Sequence, residues 1–143
     1  MPTYANGPTP ALPIGGGGLT FVNGLPGEAV LRQQVAPASY AAVATLTAAD
    51  LLTRIINTTG TTYTVTTPTA AQLDAAMPNA QQNDSFEYSI VNSASGTITH
   101  AAGSGVTQLP TAITLATLTS SMFRARKTNA PGATSAWVIY RVS

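Results

Sequence analysis

PTAAQLDAAMPNAQQNDSFEYSIVNSASGTITHAAGSGVTQL, residues 68–109, decides the fold. Phe86, Tyr88 and Ile90 alternate with Ser85, Glu87 and Ser89, the period-two pattern of a strand with one buried face. NSASG breaks that run as a turn, TITHAA reads as a second strand, and GSG at 103–105 leads to a third at VTQL. Ahead of these strands, TAAQLDAAM predicts the one short helix of the chain. Thr69 stands as its N-cap with Gln72 three positions on, as in a capping box, and Pro78 with Asn79 closes it.

The same punctuation runs outward in both directions. After Pro110, AITLATL continues the β-type pattern, and SSMFRARKT sets Phe123 and Ala125 opposite Arg124 and Arg126. NAPGATS is a turn, and AWVIYRV is a closing strand that is apolar on both faces except at Arg141. Upstream, TTYTVTT alternates Tyr63 and Val65 with threonines and stops at Pro68, which has no N–H to give to a ladder. A first strand is expected around Tyr40–Leu46, followed by an apolar stretch from Leu51 to Ile56 and a turn cluster at 57–60. Seven or eight short strands at this spacing predict an all-β domain over residues 40–143, a β-sandwich of the jelly-roll kind.

Residues 1–39 read as an extended arm. Pro2, Pro8, Pro10, Pro13, Pro26 and Pro37 remove backbone donors, and Gly15–Gly18 are four consecutive glycines, so ordering the segment costs more entropy than it can repay alone. Yet Tyr4, Leu12, Ile14, Leu19, Phe21, Val22 and Leu25 are apolar with nowhere local to be buried. They are candidate contacts with a partner; the other reading is an arm that wraps its own domain.

Composition narrows the function. Charged residues are 8% of the 143, against roughly a quarter in ordinary soluble domains, while hydrophobic residues are 44%. A surface so poor in charge is weakly guarded against association, which points to cover by copies of itself or by partners. Six Lys and Arg and a net charge of +1 are too few to neutralise a nucleic-acid backbone. No apolar run approaches the roughly 20 residues that span a bilayer, and MPTYANGPTP lacks the basic and apolar regions of a secretory signal. With no cysteine, disulfides and thiolate metal sites are excluded. Synthesis in a cytoplasm is expected.

Taken in order, PTAAQLDAAMPN, NDSFEYSIVN, TITHAAGSGV, MFRARKT and WVIYRVS resemble the capsid decoration, or cement, proteins of tailed bacteriophages, which have a jelly-roll-like β-fold. The resemblance covers roughly residues 61–143, and 40–60 more loosely; it does not extend to the arm. The same modules also resemble parts of phage head fibres and tail-associated proteins. What the resemblance implies is a structural virion protein without enzymatic activity, bound to the outer capsid surface and stapling neighbouring capsomers. Its partners would be the major capsid protein and copies of itself, a homotrimer before a dimer. A head-fibre or tail-fibre base is the alternative.

Chemical constellations are sparse. His100 is the single histidine, with no second His to complete a metal shell, and the five acids do not suggest a catalytic pair. GGGG at 15–18 lacks the Lys-Ser/Thr ending of a phosphate loop. No catalytic, cofactor-binding or metal-ligating residue is therefore expected. Arg124, Arg126 and Lys127 form the one basic cluster, either guarding a strand against wrong pairing or contacting an acidic partner. Arg124 and Arg126 join the arm residues as candidate contacts. Trp137 is a core residue or an interface anchor.

Overall fold

Residues 33–143 are those described by the computed structural model of the protein. In them the chain runs through β1 (Ala38–Tyr40), β2 (Ala44–Thr45), α1 (Ala48–Leu52), β3 (Ile55–Thr58), β4 (Tyr63–Thr66) and α2 (Ala70–Ala76). It continues through β5 (Ser85–Asn92), β6 (Ile98–Ala101), β7 (Val106–Leu109), β8 (Ile113–Leu115), β9 (Thr119–Lys127) and β10 (Trp137–Arg141). Six strands form one sheet in the order β1-β3-β5-β9-β10-β7, and four form a second in the order β2-β4-β6-β8. Residues 35–143 make one compact unit, whose first strand begins at Ala38 rather than at 40.

Alternation places the core between the sheets. Ile56, Tyr88, Ile90, Phe123, Ala125, Trp137 and Ile139 point inward from the six-stranded sheet; Tyr63, Val65, Ile98, Ile113 and Leu115 come from the four-stranded one. Leu51 of α1 and Leu73 of α2 are fully buried in the same cluster. Each large aliphatic or Phe side chain among these contributes about 1.5–3 kcal/mol by leaving water, which is what fixes the two faces.

The chain winds as coils. It lays a strand in the large sheet, turns into the small sheet, and returns through a short helix; β1-β2-α1 and β3-β4-α2 are two such coils, and β5-β6 opens a third. Successive coils pair in parallel, β1 with β3 and β3 with β5 in one sheet, β2 with β4 and β4 with β6 in the other. The direction then reverses: β8 is antiparallel to β6, β9 to β5 and β10 to β9, while β7 runs parallel to β10. Both helices begin the same way. Thr47 caps α1 with Asp50 answering its backbone, and Thr69 caps α2 with Gln72 answering, so TAAD and TAAQ are one device used twice.

Five expectations are thereby corrected. The sheets are built on parallel coils, whereas a jelly roll is two antiparallel Greek keys. The described residues hold two helices, so the domain is β-rich rather than all-β. They also hold ten strands rather than seven or eight. The stretch Leu51–Ile56 is not one element: α1 ends at Leu52, Arg54 takes φ 68, the left-handed geometry usual just past a helix end, and β3 starts at Ile55. The strand expected over Tyr40–Leu46 is two, β1 and β2, one in each sheet.

Asn92, at the inner end of β5, locks the coils to the returning half. Its Nδ2 donates to the carbonyls of Leu115 (3.0 Å), Ala116 (2.9 Å) and Gly96 (3.0 Å), and its Oδ1 accepts from the Ala94 N–H (2.9 Å). The residue is 1% exposed, and its partners Ala94 and Leu115 are buried with it, so those two backbone groups have little water to fall back on. Asn92→Ala is expected to lower the unfolding free energy by about 3 kcal/mol by orphaning them. Asn57→Ala, on the outer face of β3, should cost less than about 1 kcal/mol. Equal shifts of the two urea midpoints would refute this role for Asn92.

Candidate functional site

The outward residues of the large sheet form a continuous face. Register aligns them in rows across the strands: Ile55, Ser89 and Met122; Glu87, Arg124, Tyr140 and Leu109; Ser85, Arg126, Val138 and Thr107. Val91 and Ser120 extend the face along β5 and β9. Large apolar side chains stand open here, Val91 at 37%, Met122 at 41% and Leu109 at 46% exposure, and Val142 just beyond β10 is exposed too. The closing strand is apolar on both sides, as expected: Trp137 and Ile139 face the core, Val138 and Tyr140 this surface.

Two of the predicted contact residues lie on this face, and both are held. The guanidinium of Arg124 pairs with Glu87 across the β5–β9 ladder, Nε to Oε1 at 3.0 Å with a second bond from Nη2. Arg126 donates to Asn83 Oδ1 (2.7 Å) and to the Tyr140 hydroxyl (2.8 Å), with its guanidinium 5.8 Å from the Tyr140 ring centre. Neither has to be ordered when a partner arrives. The exposed Arg124–Glu87 pair itself adds at most about 1 kcal/mol to folding. Tyr4, Leu12, Ile14, Leu19, Phe21, Val22 and Leu25 lie outside the described residues, as does the glycine run at 15–18.

Lys127 does not belong to the basic cluster. One position past Arg126, it points to the opposite face, is 5% exposed, and sets Nζ 3.1 Å from Asp74 Oδ1 of α2. The same oxygen accepts from the Trp137 indole N–H at 2.8 Å. Burial works to raise the Asp74 carboxyl, but hydrogen bonds from Ser135, Trp137 and Lys127, with the lysine charge, outweigh it and hold the group below its usual range. Trp137 is thus a core residue. It packs edge-on against Phe86 at 5.9 Å and floors a cleft of about 520 Å³ with Met77, Pro78, Ala80 and Phe86.

His100 is also interior. Gln108 Nε2 lies 2.9 Å from its Nδ1, so the ring accepts there and carries its proton on Nε2, 3.2 Å from the Tyr88 hydroxyl. The ring packs 4.7 Å from that of Phe123, and its outer side borders a concavity of about 470 Å³ with Thr99, Thr107 and Thr111. Burial disfavours the imidazolium and pushes the pKa down to about 4, while the Tyr88 hydroxyl is pushed up for the same reason. Among the described residues no three His, Asp or Glu side chains gather closely enough to share a metal ion.

No family model, curated protein or solved structure matches the chain. The reading of function therefore rests on the molecule itself. His100 was visible as a singular residue, but its partners Tyr88 and Gln108 come from the facing sheet, and no local pattern joins them. The Lys127–Asp74–Trp137 group was equally hidden, because it links α2 to two strands far along the chain.

The His100 environment sets an acid response. Its folded pKa lies below the unfolded value of about 6.5, so the unfolded chain takes up a proton that the folded one refuses. Stability should be full above pH 6.5 and fall as pH drops toward 4, by about 3 kcal/mol. Asp74 adds a further loss only at lower pH, below its ordinary titration range. Denaturant unfolding across this range checks the slope; His100→Gln should flatten it between pH 6.5 and 4, and an unchanged slope would place the acid response elsewhere.

Proposed function

We propose that the protein is a structural component of a virion, binding the outer surface of a phage capsid and stapling neighbouring capsomers as a homo-oligomeric cement. The observation that carries this reading is the open face of the six-stranded sheet, apolar at Ile55, Val91, Met122, Val138 and Leu109, with Arg124 and Arg126 held in place. Such a face suits a broad, preorganised protein contact, where little side-chain entropy remains to be lost. The groups a catalyst would use are engaged in packing. His100 is enclosed between Tyr88 and Gln108, and Asp74 between Lys127 and Trp137.

The reading has two kinds of partner, the major capsid protein and further copies of this chain. The apolar residues of the N-terminal arm are the proposed shell contact, and the sheet face is the proposed surface for lateral contacts. Cement works by mass action: whatever binds the assembled shell and not its loosened form raises the shell's stability. Repetition over a lattice turns modest contacts into firm attachment.

Particles lacking this protein, melted with and without added full-length chain, test the reading. The protein should raise the melting temperature and appear as outer density in image reconstructions. Identical melting would remove the cement role, and density confined to a fibre or tail site would identify an attachment base instead.

A further inference from the structure

We infer that the concavity beside His100 is a binding site for a small neutral polyhydroxyl ligand, a saccharide unit. Its polar lining is the carboxamide of Gln108 on β7 with the hydroxyls of Thr99 on β6, Thr107 on β7 and Thr111 in the connection between β7 and β8.

Gln108 is the fixed point of the site. The residue is 3% exposed, and its Nε2 is given to His100 Nδ1 at 2.9 Å. His100 is held in turn, because its other ring nitrogen lies 3.2 Å from the Tyr88 hydroxyl. Turning the carboxamide over would set Oε1 against the lone pair of Nδ1, so Oε1 stays on the open side. Among the described residues no group donates to that oxygen, and the one fully enclosed side-chain oxygen or nitrogen without a partner is Ser121 Oγ. Gln108 Oε1 is therefore unpaired but not sealed in, and the concavity is what Gln108 borders. An acceptor this deep lacks one hydrogen bond, which a ligand can supply. Water can stand there too, and a ligand gains by displacing it when it donates from the same place.

The rest of the lining defines the chemistry. Thr99, Thr107 and Thr111 use their hydroxyls in no hydrogen bond among the described residues, so each is free to donate and to accept. No lining side chain carries a charge at neutral pH, so an ion would give up hydration with no counter-charge to replace it. No Phe, Tyr or Trp borders the concavity, which leaves a flat aromatic ligand without a ring to stack on. A compact aliphatic ring bearing several hydroxyls satisfies all of these conditions. One hydroxyl donates to Gln108 Oε1, others exchange bonds with the threonines, and C–H groups rest on Val106 and the neighbouring alanines. The volume, about 470 Å³, falls in the range of about 300–1,000 Å³ usual for small-ligand sites.

Titration of the full-length chain with D-glucose, D-galactose, D-mannose and N-acetyl-D-glucosamine, followed by proton–nitrogen correlation spectra, tests the site. At least one sugar should move the Gln108 side-chain amide and the Thr111 backbone amide and saturate with a Kd on the order of 1–10 mM. Glucosamine, a cation, and glucuronate, an anion, should bind at least about tenfold more weakly. Thr107→Val and Thr111→Val stand at exposed positions and should each weaken binding about threefold to tenfold, whereas Ser120→Ala on the outer face of β9 should not. Gln108→Leu should abolish binding; if it fails to fold, the two threonine variants decide. No saturable shift with any of the four sugars up to about 50 mM, equal binding of the charged sugars, equal binding of acetamide, or unchanged affinity in both threonine variants would each overturn the site. The inference does not rest on the capsid reading: sugar binding is measured on the free protein and shell stabilisation on particles, so either can fail alone.

Discussion

Parallel pairing between successive coils is the constraint on which the rest depends. Antiparallel neighbours can be joined by a tight turn, but a parallel neighbour requires the chain to leave the sheet and come back at the same end. This domain meets that demand by sending each return through the second sheet and a helix of one or two turns. Thr47–Asp50 and Thr69–Gln72 close those helices at their N-termini, and Leu51 and Leu73 anchor them. The two sheets are therefore one spiral, and neither could be altered in register without moving the other.

Where the spiral stops, polar groups take over. Asn92 occupies the position that Thr58 holds one coil earlier, and the longer side chain reaches the carbonyls of Leu115 and Ala116 that the shorter one could not. From that point the ladder reverses into β8, β9 and β10. The reversal gives the large sheet its antiparallel centre at β5–β9, and with it the cross-strand pairing of Glu87 and Arg124. A surface property thus follows from an internal change of direction.

Much of the second half was legible because alternation is a local signal. β5, β9 and β10 showed their inner and outer faces residue by residue, and α2 showed its cap. The first half was harder. α1 has the same cap but only five residues, too few for a helical period to emerge, and its end, Arg54 and β3 merge into one apolar stretch with no glycine to mark the bend. Alternation is also identical in parallel and antiparallel strands, so the topology had no local signature; the recurrence of Thr-Ala-Ala at 47–49 and 69–71 was its trace. Lys127 was read with Arg124 and Arg126 as one basic cluster, although period two turns it to the other face; a buried lysine needs an anion, and Asp74 lies on a helix that nothing local connects to it.

The spiral also bears on how the domain is made. Thr58 and Asn92, which meet in the core, are 34 positions apart, and Ile56 must find Ile90 while Tyr63 finds Ile98. Such pairings close large loops before any contact repays the lost entropy, which places the chain among slowly folding topologies. While β5 is still unpaired, its edge and the apolar strands beside it are open to other chains at the same stage. For a sequence with so few charges to hold copies apart, the interval between synthesis and closure of the third coil is the period of greatest exposure to misassembly.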